Sequence, residues 1–591
     1  MNKHLLISVK VPRSALVRKT ITIFSRTIKE RCGLETRMTR SPEADLVMAI
    51  DPTMAPESYR LSTGPQGALL VTGGDERGLL YGVGRCLHDA TFTPKNFSPG
   101  AWRGISCPST TLRGIYFATH FHNYYHDAPL ADIARYVEDL ALWGCNTLSV
   151  WFDMHHYTGM QEPAARRMIV RLKAILKAAQ AVGIRPGLIM LANEGYASTP
   201  RPLRADWTAG HDGYHAEPMG HYHVEVCPSS KEGLDLILRT RREVLQALAG
   251  VDLKFIVIWP YDQGGCTCAR CTPWGGNGYL KIAAPVAKMT RALFPNAKVI
   301  LSTWYFDRFV DGEWAAFDKA ITQLKPDWLE YILADSHNEN YPDYPLKHGV
   351  PCGLPLVSFP EISMQGMWPW GGFGANPMPL QLQHIWNKAG TFIQGGFPYS
   401  EGIFEDLNKV IMLNFFWNRD AKAVDAVRSY VHSHFGPKAV DSIVQAVLLL
   451  EKQHTTHEFR VTANDMCGNF WEVVQKIGQI KNPRLSVKYR LTSDKLGSSA
   501  WNLLRKAALK LTPAVRKSWR WRLLSIRAEL DHEIKRSKGQ PTARTQTLFK
   551  ELIALYCAER AQSHPQDAEW LVIPPEVATV KAMLLKKRLQ A

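Results

Sequence analysis

The chain has 591 residues, 46% of them hydrophobic, and a formal charge of +17. A chain this long and this apolar is globular, with room for two to four domains and a large core, and a disordered polymer is excluded. It has no apolar run of 18 residues, so a membrane-spanning helix is not expected.

The first residues, "MNKHLLISVKVPRSALV", lack the apolar core and small-residue cleavage site of a secretory leader. They read as the start of a strand, and a cytoplasmic location is the expectation. Residues 1–105 then predict a small α/β domain. Strand-like pieces "HLLISVKV", "ADLVMAI", "ESYRLST" and "ALLVTGG" are joined by a helix over about 18–32, and a second helix follows Gly73–Gly74 and runs to about Ala90. No GxGxxG is present, so nucleotide binding is not read here.

From residue 112 short apolar runs alternate with helical segments. Eight runs qualify as strands: "LRGIYFATHF", "TLSVWFDMHH", "IRPGLIMLANEGY", "KFIVIWPYDQGG", "AKVILSTWYFD", "WLEYILADSHNEN", "LPLVSFPEIS" and "TFIQGGFPYSEG". Each is apolar almost throughout, as strands buried on both faces are. Eight βα repeats over 106–435 predict a (β/α)8 barrel as the central domain. In a barrel the C-terminal strand ends share one face. Here those ends offer His120 and His122, Asp153 with His155 and His156, Asn193–Glu194, Asp262, Trp304 and Asp307, Asp335 and Asn338, Glu361, and Glu401. Helix capping accounts for one such acid, but not for acids at seven of eight ends, most of them beside Trp, Tyr, Phe or His. Phe397 and Tyr399 beside Glu401 are expected to offer a platform to a sugar-ring face, and Glu405 and Asp406 to be first-turn acids facing a helix dipole.

Two further segments flank this face. Residues 195–228 form a long His-, Tyr- and Trp-rich connection, and "MQGMWPWGGFGANP" (364–377) supplies Trp368, Trp370 and Phe373 as stacking candidates. A cavity of carboxylates and aromatic rings suits carbohydrate. Sugars present hydroxyls and flat C–H faces, and glycosidic cleavage needs a protonated acid and a second carboxylate. Divalent-metal chemistry is the other use of clustered acids and histidines, but no HExxH motif is present.

Eleven cysteines are scattered except for Cys266, Cys268 and Cys271, a pattern suited to a reducing compartment. The cluster reads as three ligands of a structural zinc, with a histidine or Cys227 as the fourth, as a disulfide pair, or as free thiols pinning a loop. Residues 436–591 predict a basic helical domain packed on the barrel or on another subunit. Residues 451–591 hold 26 Lys and Arg against 13 Asp and Glu. No nucleic-acid signature accompanies the charge, so a structural role is expected and no nucleic-acid partner.

"GGDERGLLYGVGRCL", "LRGIY", "YSEGIFEDLNKVIMLNFFWNRD" and "YDQGGCTCARC" together resemble glycoside hydrolases of families 20 and 67 and family 163-like proteins, over about residues 1–435. The resemblance implies an O-glycosidase. By likeness to family 67, Asp262 after strand four is the acid, and Asp335 and Glu361 after strands six and seven are base or nucleophile. Glu401, Glu194, Asp153, His122, Trp304, Tyr399 and Trp370 are then the expected substrate contacts, with no cofactor required for catalysis. Family 20 ends its fourth strand in Asp-Glu, whereas this chain has Asp262–Gln263, and a glutamine cannot donate a catalytic proton. That departure leaves a non-catalytic carbohydrate-binding protein as the alternative.

Overall fold

The computed structural model describes residues 4–119, 123–205, 224–261, 265–307, 310–336, 341–362, 375–455 and 496–537, and 542–555 apart from 546, 549 and 553. The N-terminal strands are β1 (His4–Val9), β2 (Glu35–Met38), β3 (Leu46–Ile50), β4 (Tyr59–Thr63) and β5 (Leu69–Gly73). A short ribbon of β6 (Thr91–Thr93) and β7 (Asn96–Ser98) precedes β8 (Gly104–Ser106). The sheet order is β2-β1-β3-β5-β4-β8, with β4 antiparallel to both neighbours. Helices Ala15–Cys32 and Glu76–Asp89 cover it, each opened by a side-chain cap, from Ser14 and Asp75.

The barrel strands are β9 (Leu112–Phe117), β10 (Thr147–Trp151), β11 (Arg185–Leu191), β12 (Phe255–Trp259), β13 (Lys298–Ser302), β14 (Leu329–Ser336), β15 (Leu356–Pro360) and β16 (Ile393–Gly396). Each lies parallel to the next, and β9 pairs with both β10 and β16, which closes the barrel. The eight runs of the sequence are these eight strands. The last of them resumes as β17 (Tyr399–Ser400), again on β9, after Phe397–Pro398. Two glycines make this junction possible. A Cβ on Gly395, whose φ is 122°, would lie 1.6 Å from the Leu112 carbonyl oxygen, and one on Gly396 would lie 2.3 Å from that of Ser358. The eighth strand therefore fits between its two neighbours only without side chains at these positions.

Arg113, buried in β9, bolts the barrel to the N-terminal sheet. It donates to Glu57 Oε2 at 2.5 Å and to the Gly144 and Thr110 carbonyls at 2.8 Å each, and it lies over the Trp417 ring. The C-terminal helices Ala423–Phe435, Val440–Thr455, Leu496–Ala508, Pro513–Lys517 and Trp519–Arg536 follow. Part of the basic excess is used inside the protein. Arg520 donates to Asp406 at 2.7 Å and Asp139 at 2.9 Å, and buried Arg527 pairs with Asp531 at 3.1 Å and donates to Asn376. Asp406 thus answers an arginine 114 residues away, and Tyr430 besides, more than a helix dipole. Among the described residues no helix is long and apolar enough to cross a membrane.

Candidate active site

A layer of aromatic rings floors the C-terminal end of the barrel. Trp259 at the end of β12 meets Phe359 of β15 at 4.7 Å between centroids, and Trp304 lies 5.4 Å from the first and 5.7 Å from the second. Tyr116 and Tyr399 complete the layer around Phe359 at 5.7 and 6.0 Å. Strands four and seven, three places apart in the ring of eight, thus meet across the barrel interior through the Trp259–Phe359 contact.

Above this floor stand the carboxylates. Asp335 lies opposite Phe359 in the β14–β15 register, and Glu361 is two residues beyond Phe359, hence on the same side of its strand. Backbone pairing fixes both. The Glu361 N–H donates to Ser336 O at 3.2 Å, and Glu361 bridges to Tyr399 across the gap to β17. Glu361 and Asp335 are 4% and 7% exposed, so each is screened from bulk water yet sits at the strand ends. The Tyr399 hydroxyl donates to Glu401 Oε1 at 2.9 Å. Burial, then the charges of Glu401 and Glu361, hold the Tyr399 phenol well above its ordinary range.

The acid after the eighth strand is held by a buried polar cluster beneath it. Ser400 Oγ and Gly402 N donate to Glu405 Oε1 at 2.7 and 2.8 Å, and Tyr125 meets Ser400 Oγ at 2.5 Å. Lys409, fully buried, donates to the Gly402 carbonyl and to Tyr136 Oη at 2.6 Å. Burial pulls its pKa down to about 8 against the pull of Glu405 and Asp406. Glu405 thus pins the turn that presents Glu401, which is more than a dipole acid does.

A second carboxylate group follows strands two and three. His155 Nδ1 lies 2.8 Å from Asp153 Oδ1 and 3.0 Å from Glu194 Oε1, and the His155 backbone N–H donates to the same glutamate oxygen at 3.1 Å. Trp151 Nε1 donates to Glu194 Oε2 at 3.3 Å. Burial alone would push the imidazole down, but the two carboxylates outweigh it and lift His155 to about 10. The two carboxylates thus favour the imidazolium form at neutral pH. His156 adds Nε2 at 3.5 Å from Asp153. Burial raises the Asp153 carboxyl against the opposing charges of both histidines. Asp153, His155 and His156 also place their ligand atoms within 4.8 Å of one another, close enough to hold a metal ion. Arg241 closes the base of this group, donating to the Leu191 and Glu194 carbonyls at 2.7 and 2.8 Å.

Several readings change with these contacts. Phe397 is fully buried and packs toward Phe255 and Gly114, so it is a core residue and not a platform. Trp304 and Tyr399 are 6% and 3% exposed and belong to the ring layer. Asp307 accepts from the backbone N–H groups of Glu313 and Trp314 at 2.6 and 3.3 Å, capping helix Glu313–Leu324. Asp262, His122 and Trp370, together with His120, Gln263, Asn338, Trp368 and Phe373, lie outside the described residues. Trp151, Arg241, Glu225 and Lys409 have parts here that were not anticipated. For Arg241 a signal existed, since it interrupts the apolar stripe Ile237, Val244, Leu245 of its helix.

Cys227, Cys266, Cys268 and Cys271 come together on the same end of the barrel, their sulfur atoms all within 4.8 Å of one another. None is in a disulfide.

No family model and no curated protein matches this chain. Solved structures do. A family 89 glycoside hydrolase from Clostridium perfringens, in complex with 2-acetamido-1,2-dideoxynojirimycin, aligns with a TM-score of 0.59 at 13% identity, over 92% of this chain and 65% of that one. A family GH115 4-O-methyl-α-glucuronidase with specificity for decorated arabinogalactans aligns at 0.58 and 11% identity, over 96% and 77%. A GH20 exo-β-N-acetylglucosaminidase from Vibrio harveyi, in complex with N-acetylglucosamine, aligns at 0.51 and 12%, over 76% and 75%. The likeness is one of fold. It extends beyond the barrel, since the GH115 alignment spans nearly the whole chain.

Proposed function

We propose that this protein is a glycoside hydrolase that cleaves O-glycosidic bonds of an oligo- or polysaccharide with two carboxylates at the C-terminal end of its barrel. The observation that carries the reading is the pair Glu361 and Asp335, buried at the ends of adjacent strands above a floor of five aromatic rings. A sugar ring laid over such a floor would present its anomeric carbon to these acids. Glu361 is assigned as nucleophile or base and Asp335 as its partner base. Asp262 is assigned as general acid on chain order, because it follows strand four, whose Trp259 meets Phe359 of strand seven inside the barrel. Glu401 and the Asp153–His155–Glu194 group are assigned to substrate hydroxyls and to the shape of the site. The neighbours in fold all being glycoside hydrolases supports the same reading.

The test is a panel of aryl glycosides together with uronic-acid, N-acetylhexosamine and glucan oligosaccharides, assayed with the full chain. Turnover of at least one class is expected. Binding of oligosaccharide without turnover of any would reject catalysis and favour the carbohydrate-binding alternative that Gln263 raises.

A further inference from the structure

The four clustered sulfurs come from two different loops. Cys227 ends the connection after β11 and immediately precedes helix Lys231–Ala247. Cys266, Cys268 and Cys271 follow β12. Cys227 Sγ lies 3.8 Å from Cys268 Sγ and 3.9 Å from Cys271 Sγ. A disulfide needs about 2.05 Å between sulfurs. Four thiolates set tetrahedrally around zinc at about 2.3 Å stand about 3.8 Å apart. These two separations match sulfurs that share a tetrahedral zinc, and all four sulfurs lie within 4.8 Å of one another.

The local backbone is shaped for the same end. The Cys271 N–H donates to the Cys268 carbonyl at 2.9 Å and the Thr272 N–H to the same oxygen at 3.1 Å, a tight Cys-x-x-Cys turn that aims both sulfurs inward. Ser229 Oγ lies 2.9 Å from Cys227 Sγ and 3.7 Å from Cys268 Sγ. Two glycines give the packing room, since a Cβ on Gly233 would lie 2.1 Å from the Cys227 carbonyl oxygen and one on Gly278 3.1 Å from the Cys271 Cβ. Cys266 and Cys271 are 1% exposed, and the other two are partly covered.

We propose that Cys227, Cys266, Cys268 and Cys271 bind one structural zinc ion that staples the loop after strand three to the loop after strand four. All four positions are filled by sulfur, so no place is left for water or substrate, and the ion does no chemistry on the sugar. Its reach into the site is mechanical. Two residues before Cys227, Glu225 accepts from Asn193 Nδ2 at 3.3 Å, and the Val226 N–H donates to the Asn193 carbonyl at 2.7 Å. Asn193 adjoins Glu194. On the other loop, Tyr261 stands five residues before Cys266, and its hydroxyl donates to Glu313 Oε2 at 2.5 Å.

The experiment is elemental analysis and X-ray absorption of the full chain purified from zinc-supplemented cells. It expects about one zinc per chain with four sulfur neighbours at about 2.3 Å. Replacement by cobalt should give intense thiolate-to-cobalt charge-transfer bands and tetrahedral d–d bands. Cys268→Ser should lose at least half of the bound zinc, whereas Cys352→Ser, at an exposed cysteine, should keep it all. Wild-type protein free of zinc, with these four thiols reacting freely in the native state or joined as disulfides, would overturn the assignment. So would zinc bound through nitrogen or oxygen. None of these readings depends on activity, so they stand or fall apart from the proposed hydrolase.

Discussion

Replacing His155 with glutamine removes the positive charge that two buried carboxylates share. Asp153 and Glu194 are 4% and 1% exposed, and each places an oxygen within 3.0 Å of His155 Nδ1. Removing one partner of a buried ionic group costs about 3–5 kcal/mol, because the remaining charge stays desolvated. The pH dependence follows from the raised imidazole. Its pKa is about 10 in the folded protein against an ordinary value of 6.5. The stabilisation is therefore complete below pH 6.5 and is lost as pH rises through 10. Each pH step of one between those two values is worth about 1.36 kcal/mol, which sets a ceiling of about 5 kcal/mol. The assay is urea unfolding of wild type and His155→Gln at intervals from pH 6 to 10, followed by circular dichroism. The difference between the two proteins should be largest at pH 6 and should shrink steadily toward pH 10. A difference below about 1 kcal/mol, or one that stays constant across the range, would refute a buried imidazolium, for which the linkage is obligatory.

Gly395→Ala should cost about 3 kcal/mol or more and sharply reduce soluble yield, because its Cβ would meet backbone that cannot yield and φ there is 122°; a thermal midpoint within a degree of wild type would contradict the close approach of strand eight to strand one. Arg520→Met should cost about 3–5 kcal/mol in chemical denaturation by stranding Asp406 and Asp139, and Asp406→Asn in the same chain should recover part of it. Full stability of Arg520→Met would mean that the C-terminal helices are not fastened to the barrel by this contact. Glu401→Gln should raise KM and lower kcat together, since a hydroxyl-binding carboxylate acts in ground and transition states alike; a change confined to kcat would move Glu401 into the chemistry.

The barrel was legible because parallel strands buried on both faces are written as unbroken apolar runs, such as "KFIVIW" and "AKVILS". Strand β2 was not, because "ETRM" is a largely exposed edge with no apolar signature. Acids at strand ends were equally visible, but their partners were not. Asp307 caps its own helix and Glu361 does not, and the two look alike in the chain. Phe397 beside an acid read as a platform, since an apolar ring at the mouth of a strand is the same letter whether it faces solvent or core. Asp406 met Arg520, and Glu405 met Ser400 and Gly402, through pairings that a dipole argument along one helix cannot supply. The Cys-x-Cys-x-x-Cys spacing showed three ligands. The fourth, Cys227, was one candidate among several until the fold brought it within 4 Å of Cys268 and Cys271.

The most direct test of the proposed hydrolase is turnover by Glu361→Gln on whichever glycoside the wild type cleaves, measured beside substrate affinity by calorimetry. The exchange keeps the size of the side chain and the backbone pairing to Ser336 and Tyr399. The account predicts a loss in kcat of several orders of magnitude with affinity and circular dichroism unchanged, and partial rescue by azide. Activity within tenfold of wild type would show that Glu361 is neither nucleophile nor base and that the chemistry lies elsewhere on the barrel.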